Sequence, residues 1–156
     1  MKKYELTAEF IEKWGKKLFR IKALISFGSV EAGELGGYVE KEDNLAQTGN
    51  AWVSGDARVY GDAWVYGDAE VYGDARVCGD AWVSGDADYL LIGRIGSRFS
   101  FTTFFKNKDK GITVSCGCFL GTIAEFRAKV TDTHGNNKHA KMYNLAADMA
   151  ELQILG

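Results

Sequence analysis

The feature that most constrains this chain is a six-residue repeat that begins at Gly49. Its units are GNAWVS, GDARVY, GDAWVY, GDAEVY, GDARVC, GDAWVS and GDADYL, with alanine always third and valine fifth in all but the last. In extended backbone, residues two apart point to the same side, so alanine and valine share one side of each unit. The Gly-Asp pair predicts a turn, because glycine tolerates corner dihedral angles and aspartate favours turns.

Identical polarity in every unit favours parallel stacking over antiparallel hairpins. Three short strands and three corners would close a coil of about 18 residues, and successive coils would stack at about 4.8 Å. The repeated valines and alanines are then predicted to fill the interior. These are Val53, Val59, Val65, Val71, Val77 and Val83, with Ala51 to Ala87 in steps of six beside them.

The repeat resembles the hexapeptide-repeat superfamily of left-handed parallel β-helices. That family places a small residue four positions after an aliphatic one, and Val53 with Ala57 and Val59 with Ala63 match this pattern. The resemblance covers roughly residues 18–96 and implies the left-handed sense of the coil. The LGGYVE and GNAWV segments look like the opening of a subgroup of obscure function found in bacteria and their phages.

The chain is predicted to be mainly β, with three parts. Residues 1–36 form an N-terminal β cap, since residues 17–23 alternate as in a strand with one buried face. Residues 37–96 form a left-handed parallel β-helix of about three to four coils, with a small bulge near Thr48. Residues 97–156 form an α+β unit with the order strand, strand, helix, helix.

Within this C-terminal ββαα unit, residues 97–105 and 112–116 predict a hairpin. A capping box at residues 122–125 predicts the start of the first helix. The second helix is expected from about residue 139 to residue 155. Its predicted apolar face consists of Met142, Leu145, Ala146, Met149 and Leu152.

An 18-residue period divides the outward side chains among three faces. The first face is predicted to stack Trp52, Glu70 and Asp88. The second stacks Arg58, Arg76 and Arg94, with Tyr60 alongside. The third stacks Trp64 and Trp82, with Tyr66 next to them.

The arginine face is the candidate ligand-binding site, with Arg58, Arg76, Arg94 and Tyr60 as its residues. Guanidinium groups about 4.8 Å apart repel one another unless something negative lies across them. Arginine also pairs bidentately with phosphate or carboxylate, and Tyr60 offers a ring for stacking. Two hypotheses follow: an anionic ligand binds there, or the acidic Glu70/Asp88 face of a neighbouring subunit neutralises the arginines.

The tryptophan face is the candidate oligomer interface. A contiguous patch of large aromatic side chains indicates a contact surface. Either the C-terminal helices cover Trp64, Tyr66 and Trp82, or another subunit does. The resemblance favours self-association as a dimer or trimer, since members of the superfamily often form trimers.

The cysteines and histidines do not predict a metal site. Cys116 and Cys118 are separated by one residue, whereas structural zinc sites favour a separation of two to four. His134 and His139 lie outside the repeats, in a polar break between helices.

The resemblance also implies an enzymatic alternative, since well-known members are acyltransferases that use acetyl-CoA and a histidine general base. Only His134 and His139 are available for that role, and the repeats lack the usual catalytic histidine. The favoured hypothesis is therefore a non-catalytic binding or assembly protein without a cofactor. It would bind an anionic small molecule or, if phage-encoded, sequester a host nucleotide or inhibit a host protein. A purely structural spacer is the third alternative.

The composition of the chain limits its expected partners and its expected cellular compartment. The net charge of −2 makes nucleic acid an unlikely partner by electrostatics, and no apolar run is long enough to span a membrane. Three cysteines form no disulfide framework, which favours a reducing compartment. We expect a cytoplasmic protein, in the host cytoplasm if it is phage-encoded.

Overall fold

The computed structural model describes residues 1–156, which divide into two compact units, Met1–Asp86 and Ala87–Gly156. The first unit contains nine strands, six of them only two residues long. They are β1 (Tyr4–Lys13), β2 (Lys16–Ala23), β3 (Leu35–Val39), β4 (Trp52–Val53), β5 (Arg58–Val59), β6 (Trp64–Val65), β7 (Glu70–Val71), β8 (Arg76–Val77) and β9 (Trp82–Val83). The second unit contains β10 (Tyr89–Ile95), β11 (Ser100–Lys106), β12 (Ile112–Cys116), β13 (Phe119–Thr122), α1 (Ile123–His134) and α2 (Lys138–Leu155).

The short strands pair in parallel with the strand one coil later. β4 pairs with β7, β5 with β8 and β6 with β9, each in a register of 18 residues. The inward valines are fully buried and the inward alanines from Ala51 to Ala81 are at most 2% exposed. The predicted solenoid and its interior are therefore confirmed for the hexads up to Val83.

Glycine makes the corners between these strands. Six repeat glycines adopt a positive φ between +62° and +74°, a region that costs side-chain-bearing residues energy. They are Gly49, Gly55, Gly61, Gly67, Gly73 and Gly79. Gly85 does not share this conformation, and a 3₁₀ turn follows it at Asp86–Asp88. The solenoid geometry ends there.

The β1–β2 hairpin forms the N-terminal cap. β2 pairs antiparallel with β3, and β3 pairs in parallel with β5, so the hairpin extends one solenoid sheet to the order β1-β2-β3-β5-β8. The register between β3 and β5 is 20 residues, since Tyr38 faces Arg58. Leu45 likewise bridges Val65, which places the two extra residues between Leu45 and Val53, where the sequence predicts a bulge.

Trp52 corrects one predicted orientation. We expected its side chain on an outward face, yet it is 1% exposed. Its ring is packed edge-on against Tyr4 and Phe27, with centroids 6.4 and 5.3 Å away. Lys3 completes this cluster: its Nζ donates to the Ala51 carbonyl at 2.7 Å, and burial lowers its pKa to about 8. The N-terminal segment thus covers the face that Trp52 would otherwise expose.

The second unit is a four-stranded antiparallel sheet followed by two helices. β11 and β12 form the predicted hairpin, and Thr122 with Glu125 forms the predicted capping box of α1. The sequence did not predict β10 or β13, which flank the hairpin on either side. Residues 89–95 therefore belong to this sheet and not to the parallel ladders of the solenoid.

The buried face of α2 differs from the predicted one. Met142, Leu145, Met149 and Leu152 are between 41% and 76% exposed. The buried face consists of Ala140, Tyr143, Ala146, Ala147, Ala150 and Ile154. Small side chains let a helix approach its neighbours closely, and these pack with Phe104, Val114, Phe126 and Val130 in the core of the unit. Neither helix has the length and apolar character needed to cross a membrane.

Candidate functional site

Arg58 and Arg76 are neighbours in the parallel ladder of β5 and β8, as predicted. Arg94 is not part of this stack, and that prediction is wrong. It lies on β10, which pairs antiparallel with β11 in the other sheet. The position beside Arg58 on its other side is occupied instead by Tyr38 of β3.

The cap hairpin adds a further arginine to the same sheet. Arg20 on β2 faces Tyr38, so neighbouring strands present Arg20, Tyr38, Arg58 and Arg76 in a line, which we call the arginine row. The guanidinium of Arg20 has hydrogen-bond acceptors within the chain. Its Nε donates to Glu9 and its Nη1 to the Gly36 carbonyl, both at 2.7 Å. Sequence periodicity could not find Arg20, because antiparallel pairing, and not the repeat, places it there.

Trp14 at the tip of the β1–β2 hairpin covers part of the row. Its ring stacks on Tyr60 at 5.0 Å between centroids and 18° between planes. The guanidinium carbon of Arg76 lies 4.8 Å from the Trp14 centroid and that of Arg58 lies 5.9 Å from it. Both distances are within the range of cation–π attraction. Sequence reasoning missed Trp14. The feature that could have revealed it is a single large apolar side chain before Gly15, in an otherwise polar hairpin turn.

One donor of the arginine row, Nε of Arg58, lacks a hydrogen-bond acceptor. This nitrogen is buried and has no hydrogen-bond partner. A buried donor of a charged group that lacks a partner is costly, which makes Arg58 receptive to an acceptor. Burial raises the pKa of Tyr60, and its hydrogen bond with Cys78 raises it further, so Tyr60 is a neutral neighbour at physiological pH.

The aromatic face, Trp64, Tyr66 and Trp82, has the predicted geometry. Trp64 pairs with Trp82 across the β6–β9 ladder, and their rings meet edge to face at 5.9 Å. Tyr66 stacks on Trp64 with centroids 3.8 Å apart. Trp64 is 37% exposed and Trp82 is 43% exposed. A rigid, partly exposed aromatic surface therefore exists on the solenoid.

The predicted acidic face does not form. Trp52 is buried, and Asp88 lies in the 3₁₀ turn of the second unit, where its carboxylate is 3.9 Å from Lys106 Nζ. Only Glu70 is at the expected place, paired with Trp52. Neutralisation of the arginines by a Glu70/Asp88 face of another subunit therefore lacks its structural basis.

His134 and His139 lie close together in the second unit, at the end of α1 and the start of α2. Their ring centroids are 5.5 Å apart, and His134 stacks on Tyr143 at 5.8 Å. Nδ1 of His139 is buried without a hydrogen-bond partner. No three His, Cys, Asp or Glu side chains are grouped as metal ligands.

Comparison with known families supports the architecture. A family model described as the YdcK beta solenoid repeat matches residues 51–67 and 69–85. No curated protein matches the chain. The matched residues are those that form the parallel ladders of β4 to β9. The chain is therefore a β-solenoid repeat protein.

Proposed function

We propose that this protein is a non-catalytic binding and assembly protein, built on a left-handed hexapeptide-repeat solenoid. It binds an anionic group at Arg58 and Arg76 and self-associates through the aromatic face. The left-handed sense rests on the spacing shared by Val53 and Ala57 with the hexapeptide-repeat superfamily. The protein needs no cofactor for this role.

The observation that carries the proposal is the guanidinium of Arg58. It lies beside a second guanidinium, that of Arg76, one parallel rung away, and its buried Nε lacks an acceptor. Two cations at this spacing repel each other, and a phosphate or carboxylate would relieve that repulsion. An anion that displaced the group covering Nε would also supply the missing acceptor.

The neighbouring rings favour an anion that carries a flat group. Trp14 stacks on Tyr60 and is itself 45% exposed, so one ring surface is accessible beside the guanidinium groups. A nucleoside phosphate combines a charged and a planar part in one small molecule. We therefore favour a nucleotide as the ligand.

Titration calorimetry with AMP tests the binding site. We expect AMP to bind, adenosine to bind less tightly, and Arg58→Gln to weaken AMP binding about tenfold through loss of a charged hydrogen bond. Lys22→Gln is the matched control, because it removes an exposed cation from β2 and should leave affinity within about twofold. Absence of AMP binding, or an unchanged affinity in Arg58→Gln, would contradict the proposal.

Sedimentation velocity tests self-association. We expect the wild-type chain to sediment as a dimer or trimer, and the double variant Trp64→Ser/Trp82→Ser as a monomer, because aromatic side chains dominate interface energetics. Tyr72→Ser is the control, since Tyr72 is 56% exposed and lies outside the aromatic face. A wild-type monomer, or an oligomer that survives the double substitution, would reject this interface.

The two alternatives have different expected outcomes. An acyltransferase would move the acetyl group of acetyl-CoA to an amine or hydroxyl acceptor, release coenzyme A as the free thiol, and lose this activity in His134→Ala or His139→Ala. A structural spacer would bind neither AMP nor acetyl-CoA. Three free cysteines support a reducing, cytoplasmic location. The resemblance to a bacterial and phage subgroup supports a host protein or host nucleotide as the partner if a phage encodes the chain.

A further inference from the structure

A cavity of about 260 Å³ lies entirely within the second unit. Its walls come from the C-terminal half of α1, the β12–β13 turn, Tyr143 of α2 and the turn that follows β10. This volume is slightly below the range of about 300–1,000 Å³ typical of drug-sized ligand sites. We call it the α1 cavity, and its size suits a small organic molecule.

The lining of the α1 cavity includes two basic side chains and no acidic one. Arg98 and Lys129 both contribute to it, and no aspartate or glutamate does. Both residues are exposed, so their long side chains can reorient towards a ligand. Two cations without a carboxylate favour an anion at the mouth of the cavity.

The most buried residues that line the cavity are apolar. They are Phe126 and Val130, which are 3% and 4% exposed and which we call its floor. Phe126 meets Tyr143 edge to face at 5.6 Å, and Phe119 lies 5.8 Å from Phe126. Phe126 is thus packed between aromatic side chains. The floor would accept a ring or a short alkyl group.

Tyr143 and Cys116 also line the cavity and carry polar atoms. Burial and, to a smaller extent, the adjacent Cys116 raise the pKa of Tyr143 to about 12, so the phenol stays protonated. Thr102 Oγ1 donates to Cys116 Sγ at 3.2 Å, which fixes the thiol. The protonated phenol introduces no negative charge that would compete with an anionic ligand.

We propose that the α1 cavity binds a small carboxylic acid with an aromatic or short alkyl body. The carboxylate pairs with Arg98 and Lys129, and the apolar body packs on Phe126 and Val130. This site lies in a different unit from the arginine row and does not depend on the function proposed for that row.

The test uses benzoate as the probe, followed by amide NMR of the full chain. We expect benzoate to shift resonances of Phe126, Val130 and Tyr143 at millimolar concentration. Benzamide has the same ring without the charge, and inorganic phosphate has charge without the ring, so both should bind at least tenfold more weakly. Equal binding of benzamide, or no shift with benzoate, would overturn the proposal.

Substitutions of the two cations locate the site. Arg98→Gln and Lys129→Gln should each weaken benzoate binding about tenfold, and both variants should fold because the residues are exposed. Lys108→Gln is the matched control, since it removes a cation from the β11–β12 turn, outside the lining. If all three variants bind benzoate with wild-type affinity, the assignment of the α1 cavity is wrong.

Discussion

Replacing Val59 by aspartate is expected to leave the Met1–Asp86 unit unfolded where the wild-type unit is folded. Val59 is fully buried in the middle of a ladder, between Val39 and Val77. Both ladder neighbours are valines, so neither offers a carboxylate at this position a polar partner. Burying the carboxylate costs several kcal/mol, and about 1.5–3 kcal/mol of valine burial is also lost. The total, on the order of 5 kcal/mol or more, is comparable to the stability of a whole domain.

Tryptophan fluorescence during urea denaturation measures this effect selectively. All four tryptophans, Trp14, Trp52, Trp64 and Trp82, lie in the first unit, whereas α1 and α2 lie in the second. The Val59→Asp variant should show unfolded-state fluorescence without urea. Thr48→Asp adds the same charge at an exposed turn and should change the free energy of unfolding by no more than about 0.5 kcal/mol. A native fluorescence spectrum in Val59→Asp would refute the assigned interior.

The Gly67→Ala variant is expected to lower the free energy of unfolding of the first unit by about 3 kcal/mol. Gly67 has φ +65°, where a side chain costs roughly 1–2 kcal/mol. A Cβ there would also lie 2.7 Å from the backbone oxygen of Ser84. That oxygen accepts a hydrogen bond from Asp68 N, so it cannot move away without weakening the ladder. The conformational strain and the steric clash therefore add.

Gly15→Ala separates these two contributions. Gly15 has a similar φ of +73°, but a Cβ there would meet no atom within 4 Å. We expect this variant to lose only about 1–2 kcal/mol, the conformational cost alone. Equilibrium unfolding followed by tryptophan fluorescence provides both values. If the two variants are equally stable, stacking of the corners does not constrain Gly67.

The repeat could be predicted in detail because its physical causes are local. Alternation within each hexad determines which side chains face inward, and the Gly-Asp corner determines where the chain turns. The 18-residue register of Arg58 with Arg76 and of Trp64 with Trp82 follows from these two facts. Each coil repeats the same contacts, so one correct unit predicts the others.

Predictions from the same periodicity were wrong for residues that follow the repeat. Arg94 and Asp88 keep the numerical spacing, yet Gly85 lacks the corner conformation and Tyr89–Ile95 forms a strand of the antiparallel sheet. The spacing of residues does not reveal that β11 provides a competing partner for this segment. The change of valine to tyrosine at Tyr89 and the loss of the Gly-Asp pair at Leu91 and Ile92 were the local signs of the transition.

The candidate site was predicted only in part, for the same reason. Arg58, Arg76 and Tyr60 lie on the repeat and were found by their spacing. Trp14 and Arg20 reach the row through the β1–β2 hairpin, whose pairing with β3 joins segments distant in sequence. Such long-range pairing depends on the energetics of the whole sheet.

The sequence by itself determined the solenoid, its interior and its corners, because a six-residue pattern of valine, alanine and glycine permits few other packings. Tertiary structure decided which surfaces are covered. It buried Trp52 beneath the N-terminal segment and turned the alanine stripe of α2, not its larger Met142 and Leu145 side chains, towards the core. Small side chains let the helix pack closely against the sheet. Whether they do so depends on the shape of the surface that the helix meets, which the sequence of the helix does not contain.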